Sequence, residues 1–131
     1  MTTSDLPAEG NADVSTEGTE APFDDVITLS TSVDDGVTTV TVVGEVDTFT
    51  APVLRSSLDT QLEQSPSELV IDLSGVQFLG SAGLAVLVET QKSARAREIS
   101  LRLIATTRAV TRPLEVTGLI DLFTIADSPA R

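Results

Sequence analysis

The 131-residue sequence has no histidine, cysteine, tryptophan or tyrosine, and its aromatic residues are four phenylalanines. Without histidine or cysteine, the chain cannot assemble a Ser-His-Asp or Cys-His catalytic site or supply imidazole and thiolate ligands to zinc. It also cannot form disulfides, which is consistent with a reducing compartment. We therefore expect a protein that is not an enzyme and that carries no metal or cofactor.

Positive charge is scarce, and long apolar runs are missing. The chain has 8 Lys and Arg against 20 Asp and Glu, a formal net charge of -12. Nucleic acids and anionic membranes bind clustered basic residues, whereas these eight are scattered from Arg55 onward. No run approaches the ~20 apolar residues of a membrane span, and the N-terminus lacks a signal-peptide pattern. We expect a cytoplasmic protein that binds neither nucleic acid nor membrane.

Residues 1–25 form a tail with seven acids and no Lys or Arg. Such a segment has too little apolar surface to offset its chain entropy, so it is predicted to be disordered. It serves either as a solubilising leader or as an autoregulatory arm. Residues 26–127 are predicted to form one domain, and residues 128–131 a frayed C-terminus, with fraying expected from Ala126 onward.

The domain opens with two β-branched runs, Val26–Val33 and Val37–Val43. The Asp-Gly pair between them, at Asp35-Gly36, predicts an antiparallel hairpin. An amphipathic helix follows, with Thr48 or Thr50 as candidate cap and Pro52 in the first turn. Its apolar positions recur at helical spacing, and Ser65-Pro66-Ser67 ends it. These positions are Ala51, Leu54, Leu58 and Leu62.

The stretch Leu69–Val88 predicts a strand, a loop and a helix. Leu69–Ile71 is typical of a strand buried on both faces, and the loop is expected to begin after Asp72. The helix is expected to start at Ser81 and to run through Ala94 toward Arg97. Its charged residues Glu89, Lys92 and Arg95 indicate a solvated outer face.

A further strand is predicted over Ile99–Ala105, followed by a third helix capped by Thr106 or Thr107. Pro113 predicts a distorted first turn or a start nearer Thr111, and Gly118 ends the helix. Val110, Leu114 and Val116 are predicted to be buried, and Leu119–Ile125 to be a strand or docked extension.

This order of elements predicts a single α/β domain. Its small sheet is mixed but mainly parallel and is opened by an antiparallel hairpin. About three main helices pack with it.

Ser81, in Gly80-Ser81-Ala82-Gly83, is the first candidate functional residue. The segment is not a nucleophile elbow, because Leu79 stands where the first glycine should be and the chain has no histidine. It is not a phosphate-binding P-loop, which needs a Gly-Lys-Ser/Thr ending. Local chemistry favours a helix cap, with a modified or partner-contacting serine as the alternative.

Asp47 and Asp72 are the other candidates. Loops beyond the carboxyl ends of parallel strands gather at one edge of a sheet, so Asp47 and Ser81 are expected to be neighbours. A helix cap explains Asp47 equally well. Asp72 is expected to bond loop backbone, and a metal site built from Asp47 and Asp72 stays open in principle.

Three segments resemble, in order, the conserved blocks of bacterial anti-sigma factor antagonists. They are GEVDTFTAPVLRSSL, LVIDLSGVQFLGSAGLAVLV and TRAVTRPLEVTGLIDLFTIADS. Together they span nearly all of residues 26–127, and the chain is identified on this basis as a member of the STAS domain family.

The resemblance implies a transcription regulator of the stress-response type that works by partner switching. The implied partner is an anti-sigma factor that is also a serine kinase of the histidine-kinase-like ATPase fold. Binding frees a sigma factor, phosphorylation at Ser81 releases the antagonist, and a serine phosphatase resets it. A monomer or weak dimer is expected. The implied partner surface consists of Asp47, Thr48, Gly80, Ser81, Ala82, Gly83 and Leu84.

The sequence departs from the family at one position, because many members have Asp where Gly80 stands. Two other functions stay open. One is a STAS scaffold or sensor module in a stress-signalling assembly, without phosphorylation at Ser81. The other is a small enzyme or nucleotide site lined by Asp47, Asp72 and Ser81.

Overall fold

The computed structural model describes residues 27–127. The predictions for residues 1–25 and 128–131, and the start of the first strand at Val26, lie outside these residues. Within them the chain forms three α-helices, a 3₁₀ turn and five strands. In chain order the elements are β1 (Ile27–Asp34), β2 (Val37–Val46), α1 (Ala51–Glu63), β3 (Glu68–Leu79), α2 (Ser81–Ala96), β4 (Ser100–Ile104), α3 (Arg108–Val116), the 3₁₀ turn Leu119–Leu122 and β5 (Thr124–Ala126).

The five strands form one sheet in the order β1-β2-β3-β4-β5. β1 and β2 are antiparallel and every other neighbouring pair is parallel, which confirms the predicted fold class. Asp35 and Gly36 connect β1 to β2 with φ of 58° and 83°. Positive φ at both positions is what a two-residue hairpin turn requires, since it matches the twist of the strands.

β3 is much longer than predicted. The loop expected after Asp72 is wrong, because the strand continues to Leu79 beside β2. The pairing register shifts between Thr41 and Val43 and again between Gly44 and Glu45, and each shift leaves one extra residue in β3. Such bulges interrupt the alternation of buried and exposed residues. For this reason the second half of the strand looks like a loop in the sequence.

The predicted apolar faces of the first two helices are confirmed. Ala51, Leu54, Leu58 and Leu62 are the buried residues of α1, and α2 extends to Ala96 as expected. The two helices pack against each other, and Arg55 of α1 pairs with Glu89 of α2 at the surface.

The third helix corrects two predictions. It begins at Arg108 and contains Pro113, so a start near Thr111 is wrong. Val110 and Leu114 are buried as predicted, but Val116 is 71% exposed. Two residues correspond to about 200° around a helix, which turns Val116 away from the face of Leu114.

The chain after α3 forms the 3₁₀ turn and then β5, which pairs with β4. Leu119–Ile125 is therefore mostly a turn followed by a short strand. Fraying from Ala126 is also wrong, because Ala126 pairs with Ile104 as the last residue of β5.

The core surrounds the first half of β3. Leu69, Val70 and Ile71 are fully buried in succession, as predicted for a strand covered on both faces. Within β3, Glu68–Asp72 is the part that pairs with β4, and α3 packs against β3. None of the helices between residues 27 and 127 has the length and apolar character needed to cross a membrane.

Candidate functional site

The carboxyl ends of β2 and β3 lie side by side and bring two predicted site segments together. Val46 pairs with Leu79, and the Gly80 N–H donates a hydrogen bond of 2.9 Å to the Val46 carbonyl. Asp47 follows Val46 directly, and Ser81 follows Gly80. The expected proximity of Asp47 and Ser81 is thus a consequence of parallel pairing between two strands that end together. We call this end of the sheet the Ser81 edge, comprising residues 45–50 and 78–84.

Asp47 organises the loop between β2 and α1. Its Oδ1 accepts hydrogen bonds from the N–H groups of Phe49 and Thr50, both at 3.0 Å. In return the Thr50 hydroxyl accepts from the Asp47 N–H at 2.9 Å and donates to the Glu45 carbonyl at 2.8 Å. Thr50 occupies the cap position of α1, but its side chain does not cap the helix. The hydroxyl instead joins the end of β2 to the loop.

Gly83 fixes the first turn of α2 against the two strands. A methyl group at this residue would lie 2.6 Å from Val46 Cγ1 and 2.7 Å from Leu79 Cδ1, well inside normal carbon–carbon contact. The backbone of α2 therefore approaches β2 and β3 as closely as it can. Gly83 and Leu84 are buried, so they act at this edge by positioning the helix.

Ser81 is exposed and is the first residue of α2, while Gly80 occupies the cap position. The favoured local interpretation of Ser81 as the helix cap is therefore wrong by one residue. The first hydrogen bond of the helix runs from the Leu84 N–H to the Gly80 carbonyl at 3.0 Å. The N–H groups of residues 81–83 precede this ladder and give the helix start its partial positive charge.

The other predicted residues lie around this turn. Thr48 is exposed in the β2–α1 loop, and Ala82 is partly buried in the first turn of α2. Charge at the Ser81 edge is entirely acidic, because neither segment contains Lys or Arg and Glu45 is exposed.

Asp72 does not belong to this edge. It pairs with Thr41, seven residues before Leu79, which corresponds to roughly 20 Å along a strand. Its Oδ1 accepts hydrogen bonds from the Ser74 N–H at 3.0 Å and the Ser74 hydroxyl at 2.6 Å. Asp72 was predicted to bond loop backbone; it does bond backbone, but Ser74 lies within β3 and not in a loop. A site that combines Asp72 with Asp47 and Ser81 is wrong. Residues 27–127 contain no group of three or more acidic side chains that could hold a metal ion.

Two residues of the edge were missed in the sequence. Phe49 is 77% exposed and Phe78 is 50% exposed, although phenylalanine is the type of residue that a core normally takes up. In a chain with four phenylalanines and no other aromatic residue, their positions next to Asp47 and Gly80 could have drawn attention to them.

A mixed sheet with an antiparallel hairpin, three helices and a serine at the start of the second helix defines the class of fold. The sequence pattern of the STAS domain matches residues 28–131, and the chain belongs to the STAS domain family.

Relatives with known roles match most of the chain. The anti-sigma-F factor antagonist RsfB of Mycobacterium tuberculosis is 33% identical over 99 residues, covering 76% of this chain and 80% of RsfB. The crystal structure of an anti-sigma factor antagonist from Mycobacterium paratuberculosis is 39% identical, with a TM-score of 0.76, and covers 85% of this chain and 92% of that one.

The anti-sigma factor antagonist SpoIIAA has the same fold in both of its forms. The unphosphorylated form aligns with a TM-score of 0.64 at 17% identity, over 77% of this chain and 88% of SpoIIAA. The phosphorylated form aligns with a TM-score of 0.59 at 16% identity, over 77% of this chain and 91% of SpoIIAA. At this level of identity the likeness shows the fold alone.

Proposed function

We propose that this protein is a cytoplasmic, non-catalytic anti-sigma factor antagonist that binds an anti-sigma factor through the Ser81 edge and thereby frees a sigma factor. The observation that carries the proposal is the exposed Ser81 at the start of α2, held beside the Asp47 loop by the Gly80–Val46 hydrogen bond. Membership of the STAS family and the similarity to RsfB support the same function.

Phosphorylation of Ser81 is the proposed switch. The implied enzyme is the anti-sigma factor itself, acting as a serine kinase of the histidine-kinase-like ATPase fold, and a serine phosphatase restores the hydroxyl. A phosphoserine adds about -1.5 to -2 charges. Because Ser81 is the first residue of α2 and lies outside the core, the helix start tolerates that charge and the fold survives. The phosphate acts at the interface, through its bulk and through the cost of removing its charge from water.

The switch is tested by substitution of Ser81. A pull-down from an extract of the source organism, with wild-type protein and the Ser81→Glu variant as baits, identifies the anti-sigma factor. Titration calorimetry with that purified partner then measures affinity. We expect Ser81→Glu to weaken binding at least tenfold, about 1.4 kcal/mol, and Ser81→Ala to bind as wild type does. Mass spectrometry after incubation with the partner and ATP is expected to detect phosphate on Ser81.

Equal binding by wild type and Ser81→Glu, together with an unmodified Ser81, would contradict the switch. In that case light scattering distinguishes a STAS scaffold or sensor module from an antagonist that is not switched at Ser81. A large stable assembly supports a STAS scaffold or sensor module, whereas the antagonist is expected to be a monomer or weak dimer.

A further inference from the structure

The Ser81 edge presents an apolar surface that the fold leaves open. Phe49 lies in the loop after β2, Phe78 is the penultimate residue of β3, and Val53 follows Phe49 by four residues at the start of α1. The three side chains are 77%, 50% and 51% exposed. Burying an apolar side chain is favourable, because it removes apolar surface from water. The folded chain forgoes this gain in free energy at Phe49 and Phe78 of the Ser81 edge and at Val53 of α1.

Gly80 and the ring of Phe78 are in close contact. A methyl group on Gly80 would lie 3.0 Å from Cε2 and 3.3 Å from Cζ of the Phe78 ring. The ring therefore rests on the α carbon of Gly80 and occupies the volume that a side chain would take there. Gly80 has φ of -90° and ψ of -178°, which every residue type can adopt, so the backbone does not require glycine. A larger side chain at this position would have to displace the Phe78 ring by a few tenths of an ångström, so contact with the ring favours glycine before Ser81.

We propose that Phe49 and Phe78 are the aromatic anchors through which the Ser81 edge binds its anti-sigma factor, and that Gly80 is retained to seat the Phe78 ring beside the serine. The inference rests on the proposed function and names the side chains and chemistry of its interface. Exposed aromatic residues are the type that dominates binding energy at protein interfaces.

The chemistry of the edge specifies the matching surface of the partner. Next to Ser81 the partner meets the aromatic ring of Phe78. A family member with Asp in place of Gly80 would offer a carboxylate there instead. The partner therefore carries an apolar pocket for Phe78. Opposite Glu45 and Asp47 it carries basic residues, because these two acids are the charged residues of the edge. Opposite charges at the rim of an interface accelerate association and select among partners.

The experiment measures the affinity of variants for two purified probes, the Mycobacterium tuberculosis anti-sigma-F factor and the anti-sigma factor recovered in the pull-down. We expect Phe49→Ala and Phe78→Ala each to weaken binding at least tenfold, on the order found for aromatic hot spots. The matched control is Val33→Ala. Val33 is 67% exposed but pairs with Thr38, eight residues before Val46 in β2 and roughly 26 Å from the edge. Binding by this control is expected to stay within twofold of wild type.

A double-mutant cycle distinguishes the contact between Gly80 and the Phe78 ring from a general disturbance of the start of α2. Gly80→Ala is expected to weaken binding threefold or more when Phe78 is present and to have no effect in the Phe78→Ala protein, since no ring is left to displace. Any loss of capping at Gly80 is common to both backgrounds and cancels in the cycle. Circular dichroism verifies folding of each variant. If Phe78→Ala does not fold, the test rests on Phe49→Ala. The Phe49 side chain is mostly exposed to solvent, so its removal is expected to leave the protein folded.

The outcomes separate this inference from the proposed function. Tenfold losses for both Phe variants with an unaffected Val33→Ala support the anchors. If Phe49→Ala and Phe78→Ala bind within twofold of wild type while Ser81→Glu loses affinity, the anchors are overturned and the proposed function stands. If the pull-down recovers no anti-sigma factor and wild type does not bind the Mycobacterium tuberculosis anti-sigma-F factor, the proposed function itself is contradicted.

Discussion

Gly83→Ala gives the sharpest test of how α2 packs at the Ser81 edge, because helix propensity and packing predict opposite signs for the change in the free energy of unfolding. Alanine is favoured over glycine inside a helix by about 1 kcal/mol. The added methyl group, however, would lie 2.6 Å from Val46 Cγ1 and 2.7 Å from Leu79 Cδ1, about 1 Å closer than normal contact at 3.5–4.0 Å. Val46 is fully buried, so it cannot turn into solvent to relieve the overlap.

Overpacking of this kind costs about 1–3 kcal/mol. Both contacts lie well below 3.0 Å, so we expect the upper part of this range, about 2–3 kcal/mol. After subtraction of the helix-propensity gain of about 1 kcal/mol, we expect Gly83→Ala to lower the free energy of unfolding by about 1–2 kcal/mol. Urea denaturation followed by circular dichroism measures the loss. For a domain of this size each kcal/mol lowers Tm by roughly 4–8 °C.

Two variants calibrate the measurement. Ala85→Gly changes an exposed residue of α2, so it reports helix propensity alone and is expected to cost about 1 kcal/mol. Val46→Ala removes Cγ1, so Gly83→Ala is expected to cost less in that background. A Gly83→Ala protein as stable as wild type, or more stable, would refute the packing argument.

Two further predictions concern Asp47 and the N-terminal segment. Asp47→Ala removes the acceptor for the N–H groups of Phe49 and Thr50 and is expected to cost about 1–2 kcal/mol of stability in urea denaturation. Asp47→Asn keeps a side-chain oxygen and is expected to lose less than about 0.5 kcal/mol, so equal losses would contradict the assigned role. Deletion of residues 1–25 removes seven of the 20 acids and, for a solubilising leader, is expected to leave Tm and partner affinity unchanged. Tighter binding by the truncated protein would indicate an autoregulatory arm.

Local pattern was sufficient for several features of single elements, although it misplaced the start of α3 and the burial of Val116. The Asp35-Gly36 turn, the apolar face of α1 and the buried run Leu69–Ile71 were all predicted, because turn conformation and burial periodicity are written into neighbouring residues. The second half of β3 was missed because its bulges depend on pairing with β2, and a partner strand is not visible in the local sequence.

The same distinction between local sequence and tertiary structure applies to the candidate site. The three motif blocks were sufficient to predict the family, and the residue types around Ser81 and the lack of histidine indicated the candidate site. Tertiary structure decided that Gly80, and not Ser81, occupies the cap position of the helix. It also decided that Gly83 supports the site from the core, and that two phenylalanines stay in solvent beside Ser81. The sequence could not decide these points, because burial and hydrogen-bond partners arise where β2, β3 and α2 meet. The packing of β2 against β3 and α2 depends on contacts between residues more than thirty positions apart, such as Val46 with Leu79 and Val46 with Gly83.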